Sequence, residues 1–114
     1  CWLAQADTVL PHEIDHIRSQ KHGGESTLEN LCLACSVCNA YKGPNVAGYD
    51  PETDELVRLF HPRLDSWGVH FQWVGAELVG RTPEARATIF VLAINSPERI
   101  EHRRLLIELG RFPE

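Results

Sequence analysis

The chain has 114 residues, 43% of them apolar and 24% charged, with a formal net charge of −5, figures that suit a single folded domain. Residues 1–43 hold 3 Lys/Arg against 5 Asp/Glu and residues 44–114 hold 8 against 11, so neither part has the basic balance of a generic nucleic-acid binder. No apolar run approaches the ~20 residues that cross a bilayer, and the first residues lack the basic-then-apolar order of a signal peptide.

In chain order, residues 9–17 (VLPHEIDHI) are predicted as a short strand with Pro11 near its start,. Residues 18–27 are a loop, loosened by Gly23-Gly24. Residues 31–35 (LCLAC) are a second short strand. Residues 36–42 (SVCNAYK) form about two helical turns, ended by Gly43-Pro44. Residues 45–66 are predicted mostly as loop around the apolar LVRLF. Residues 69–73 (VHFQW) alternate as a half-buried strand does and turn at Gly75-Ala76 into ELVG, a hairpin. Thr82-Pro83-Glu84 and Ser96-Pro97-Glu98 are helix starts. The first helix, through Ile94, is apolar nearly all round and predicted buried. The second ends at Gly110, with Ile100, Leu106 and Leu109 inward and Glu101 and Arg104 toward solvent.

The four cysteines are Cys1, Cys32, Cys35 and Cys38. A disulfide framework spreads its cysteines to close loops, whereas this clustering favours metal binding in a reducing compartment, here the cytoplasm. Cys35-x-x-Cys38 can hold two corners of a tetrahedral metal.

The chemistry concentrates in residues 13–43, EIDHIRSQKHGGESTLENLCLACSVCNAYKG. Asp15-His16 on the first strand is followed by Gly23-Gly24, Asn30-Leu31, Cys35-x-x-Cys38-Asn39 and Lys42-Gly43. This ordered set resembles the HNH nuclease family, whose site is a ββα-metal (His-Me) finger. The resemblance implies an α+β fold: residues 1–45 as the finger with a zinc knuckle, and residues 46–114 as a C-terminal extension, a hairpin and two helices, packed on the same domain. Residues 42–73 also resemble an extension found in small bacterial HNH proteins.

What the resemblance implies chemically fits the residue types. A hard cation, Mg²⁺ or another divalent ion, prefers oxygen ligands and keeps waters that leave room for phosphate; Asp15 offers a carboxylate and Asn39 an amide carbonyl. His16 is implied as general base, since an imidazole is the side chain suited to taking a proton near neutral pH. Asn30 is implied to fix the loop that holds His16. Lys42 and Arg18 are the candidate nucleic-acid contacts. Neighbouring strand residues point to opposite faces, so Asp15 and His16 serve one site only at a strand end, where they are expected. Cys35 and Cys38 match the second pair of a structural Zn²⁺ knuckle. Cys1 is expected to join them, with the fourth ligand three residues upstream of Cys1.

The implied function is a metal-dependent HNH endonuclease, a hydrolase acting on DNA phosphodiester bonds. The acidic balance predicts weak intrinsic affinity for DNA, or a partner protein or further region that supplies it. No contact with membrane is expected, and nothing in the sequence fixes an oligomeric state. The alternative is a non-catalytic, zinc-stabilised nucleic-acid-binding or interaction module derived from such a nuclease. A zinc-only redox or sensing protein would require neither Asp15-His16 nor Asn39. Other features have plain structural accounts: Cys32 as a small buried hydrophobe, Ser26-x-x-Glu29 as a capping box or a short turn, and Trp2, Trp67 and Trp73 as core. Arg63, Arg81, Arg86, Arg103 and Arg104 could line a DNA path, but dispersed arginines are usually solvated surface.

Overall fold

A computed structural model describes residues 1–113. The architecture is mixed α and β, with three separate antiparallel hairpins among the described residues. The first pairs β1 (Glu13–His16) with β2 (Leu31–Ala34) in the register Glu13↔Ala34, Asp15↔Cys32 and His16↔Leu31. Helix α1 (Ser36–Lys42) follows after one residue and packs on β1. That residue, Cys35, caps the helix: its Sγ accepts from the Cys38 N–H at 3.4 Å. Gly43, at φ +50°, ends it where a side chain would be strained,.

The predicted first strand is longer than β1. Residues 5–10 fold on themselves instead, Thr8 Oγ1 bonding the carbonyls of Gln5 and Leu10, and β2 has only four residues with which to pair. The loop from 17 to 30 crosses over itself so closely that a Cβ on Gly24 would lie 1.7 Å from the Arg18 carbonyl oxygen. No capping box forms. Thr27 precedes the 3-10 turn Leu28–Asn30 without a side-chain cap, and the Ser26 hydroxyl turns to His16.

Residues 45–66, predicted mostly as loop, contain a second hairpin, β3 (Ala47–Tyr49) with β4 (Leu56–Arg58). Its three-residue strands are too short for alternation to register. They are organised by Asp50, fully buried, which accepts from Glu52 N–H, Thr53 Oγ1 and both Nε and Nη2 of Arg86.

Helix α2 (Trp67–His70) takes up Val69 and His70, predicted as strand; His70 Nδ1 lies 2.6 Å from Thr82 Oγ1. The third hairpin is β5 (Phe71–Val74) with β6 (Glu77–Gly80), turning at Gly75. Thr82 caps α3 (Pro83–Val91), accepting from Ala85 N–H at 3.2 Å. The helix stops before Ile94 because Ala93 adopts φ +49°, and Phe90 is exposed, so this helix is not buried all round. In α4 (Pro97–Glu108), Leu106 faces inward and Glu101 and Arg104 outward as predicted. Leu109 is exposed beyond the helix end, and the fully buried position is Arg103, three residues before Leu106.

Two apolar clusters form the core. Phe71, Leu78, Ala85 and Ile94 make one, with Trp67 packed against it; Leu3, Leu106 and Phe112 make the other, and Trp73 contacts both. Trp2, predicted as core, is 44% exposed and leans on Trp67. Between Ala4 and Ala34 the only buried apolar residue is Ile17. The β1–β2–α1 unit therefore depends on hydrogen bonds and on its cysteines, since an isolated two-stranded hairpin is at best marginally stable. Among the described residues no helix is long and apolar enough to cross a membrane.

Candidate active site and metal centre

Strand periodicity puts Glu13 and Asp15 on one face of β1, turned toward α1,. From α1, Lys42 Nζ reaches Asp15 Oδ2 at 3.2 Å and donates to the His16 carbonyl at 2.9 Å. Asn39, one turn earlier, donates from Nδ2 to Glu13 Oε1 at 3.3 Å. That bond orients the amide and leaves the Asn39 carbonyl oxygen as its free end. Asp15, Asn39, Lys42 and Cys32 line one cavity of about 320 Å³, whose floor is apolar, with Trp67 and Phe71. Asp15 is 9% exposed. Carboxylate and amide oxygens are the donor type that a hard divalent cation takes, and in this structure the Lys42 ammonium pairs with the carboxylate. Cys32 is half-buried, its Sγ 4.0 Å from Asp15 Oδ2, and burial followed by that carboxylate pushes its thiol pKa up.

His16 is the last residue of β1 and does not line that cavity. Its Nε2 lies 2.9 Å from Ser26 Oγ. Asn30 ties the intervening loop from within: its Oδ1 accepts from Arg18 N–H at 2.8 Å, and its Nδ2 donates to the carbonyls of Arg18 and Glu25 at 2.9 and 2.8 Å. The Ile17 N–H donates to the Asn30 carbonyl at 2.8 Å. Arg18 is exposed, its Nε engaged by the His22 carbonyl at 2.7 Å.

The second centre is the cysteine cluster. Sγ atoms of Cys1, Cys35 and Cys38 all lie within 4.8 Å of one another, and the cluster could hold a metal such as zinc,. Cys38 is drawn down to about 5, first by a hydrogen bond from the Cys35 thiol and then by the nearby positive charges, Arg99 among them. The Cys35 thiol is pushed up, because its proton is held in that bond and because it is buried. Arg99, from α4, donates Nη2 to Cys38 Sγ at 3.0 Å and reaches Cys35 Sγ at 3.8 Å.

Of the dispersed arginines, Arg86 pairs with Asp50 and Glu52, Arg104 with Glu101, and Arg81 with Gly68 and Gln72. Arg103 is buried on backbone carbonyls and under Trp73, and burial draws it down to about 10. Only Arg63 comes to the hairpin, its Nε 3.0 Å from the carbonyl of Leu31, the register partner of His16. Sequence reasoning missed Glu13, Ser26 and Arg99. Glu13 was open to detection, two residues before Asp15 on the same strand face; the other two depend on loop path and on contact across 61 residues of chain.

Compared with known proteins, residues 1–45 match the family model described as HNH endonuclease. The stretch that resembles this family in sequence therefore coincides with the segment that builds β1, β2 and α1. No curated protein and no solved structure matches the chain. The family match points to a nuclease-related function and to nucleic acid as the class of partner.

Proposed function

We propose that the protein is an endonuclease that cuts DNA phosphodiester bonds with one hard divalent cation, such as Mg²⁺, on a ββα-metal finger, and that zinc at Cys1, Cys35 and Cys38 supports that finger. The observation that carries this is spatial: within the HNH-matching segment, Asp15 and Asn39 line one cavity while His16 closes the strand beside them. A cation there supplies positive charge to the phosphate and to the leaving oxygen. Asp15 and Asn39 would hold it, Asn39 through the carbonyl end of the amide whose Nδ2 donates to Glu13. The Lys42 ammonium, which pairs with Asp15, would be released to contact a phosphate oxygen if a cation were bound at that carboxylate. His16 Nε2 receives the proton of the attacking water as the water oxygen bonds to phosphorus and the leaving oxygen departs. The Ser26 hydroxyl lies 2.9 Å from Nε2, so a water that replaced it would be inside the reach of a general base. Asn30 positions His16 through the loop, and Lys42 and Arg18 are the nucleic-acid contacts.

The test is plasmid cleavage with Mg²⁺ or Mn²⁺. His16→Ala is expected to lower the rate about 10²–10⁴-fold, while Ser26→Ala stays within the same order of magnitude as the parent. Equal rates for parent and His16→Ala would remove His16 from the mechanism. The Asp15–Lys42 ion pair favours a second reading, a non-catalytic zinc-stabilised binding module in which that pair is structural. Absence of cleavage on every DNA and RNA form, with no Mg²⁺ binding lost in Asp15→Asn, would decide for it.

A further inference from the structure

Arg99 lies far outside the segment that matches the nuclease family, yet its guanidinium faces the cysteine cluster. It is half-buried near the start of α4 and is held on both sides. Nη1 donates to the Leu92 carbonyl at 2.8 Å, and Nη2 donates to Cys38 Sγ at 3.0 Å and approaches Cys35 Sγ at 3.8 Å. Among the described residues it has no carboxylate partner within ion-pair distance; other arginines without one (Arg18, Arg63, Arg103) donate to backbone carbonyls, and Arg99 alone of them donates to sulfur. A part-buried cation needs acceptors or counter-charge; Arg103 finds backbone carbonyls, whereas Arg99 turns one side of its guanidinium to cysteine sulfur. Thiolates around a divalent metal leave net negative charge, one unit for three thiolates and two for four, and the adjacent guanidinium offsets one of them. Sulfur that accepts an N–H bond is also a weaker nucleophile, so the same contact protects the ligands.

We propose that Arg99 is the outer-sphere partner of a soft, zinc-type cation held by Cys1, Cys35 and Cys38, and that it locks helix α4 to the metal centre. Arg99 is a positioning residue, since it acts through Cys38 and Cys35 and binds no metal itself. The inference rests on the reading of the cysteine cluster as a metal centre, and it adds that metal binding and the docking of α4 are one event.

The experiment uses the full chain loaded with one equivalent of Zn²⁺ and titrated with a chromophoric chelator. Arg99→Gln is expected to weaken zinc binding about 10-fold or more. Arg99→Lys, which keeps a charged donor, is expected to recover part of that loss. Arg104→Gln, which removes the same charge from the exposed face of α4, is expected to bind as the parent does. With Co²⁺ in place of Zn²⁺, the thiolate-to-metal absorption band of Arg99→Gln is expected at lower energy, a shift that loss of helix packing alone does not produce. A measurement on the parent covers the case in which Arg99→Gln fails to fold: chelation is expected to speed hydrogen exchange in the first turns of α4 together with that of Cys38 and Asn39, ahead of β5 and β6. If Arg99→Gln holds zinc as tightly as the parent, or chelation leaves α4 exchange unchanged while α1 loosens, the proposal is overturned and the metal centre stands. If the parent takes up no Zn²⁺ or Co²⁺ on its thiolates, both fall together.

Discussion

Asn30 makes three side-chain hydrogen bonds without touching the cavity, and each has a fixed polarity. Its Nδ2 faces two carbonyl oxygens, so a carboxylate in its place repels both. Asn30→Asp is therefore expected to be worse than Asn30→Ala, which only loses the bonds, at about 1 kcal/mol each. Urea unfolding of both variants checks the order, and cleavage is expected to fall with loop order. A tighter Asp variant would show that the loop is held elsewhere. At this scale motif spacing singled out Asn30, which the fold ties to Arg18 and Glu25, and Asp15 and Asn39, which the fold brings to one cavity. Arg99 was silent because an arginine in a helical stretch looks the same whether it meets water or sulfur.

Among elements, α1 is legible to the residue because its start and stop are both local, Cys35 as cap and Gly43 at positive φ. The β3–β4 hairpin was not legible, because what organises it, Arg86 on Asp50, arrives from α3, 36 residues away. That pairing has a pH consequence. The Arg86 hydrogen bonds hold the Asp50 carboxyl far below the ordinary carboxylate range, and Arg58 holds Asp65 below it. With both pKa values depressed on folding, their contribution is full above the unfolded value of about 4 and is lost as the pH falls below it, because the unfolded chain takes up protons that the native one refuses. Stability measured in urea is expected to decline below about pH 4. Asp50→Asn is expected to be less stable at neutral pH, since Arg86 loses its buried partner, and to show a flatter acid slope. An unchanged slope would mean that Asp50 stays paired in the unfolded chain.

For the whole molecule, charge decides how it meets DNA. A net charge of −5 gives little counterion release,. The isolated chain is expected to bind duplex DNA no more tightly than the nonspecific range of about 10⁻⁴–10⁻⁶ M near physiological salt, measured by fluorescence anisotropy across a salt series. Nanomolar binding by this chain alone would show that Arg63, Arg18 and Lys42 form a stronger surface than the charge balance allows. The order of elements in residues 13–43 was legible from motif spacing, and the two helix starts from Thr82-Pro83 and Ser96-Pro97. The meeting of the cysteine cluster with α4 was not, since nothing local to either announces it.

The Leu3–Leu106–Phe112 cluster joins the first residues of the chain to α4 and the segment beyond it, and it bears on the order of synthesis. In the order of translation Asp15, His16 and Asn39 precede α4 and Phe112, whose packing on Leu3 and Cys1 seats the cysteine end of the β1–β2–α1 unit. A chain released before α4 is made carries those three side chains without the packing of Leu106 and Phe112 on Leu3, and is expected to leave them unassembled.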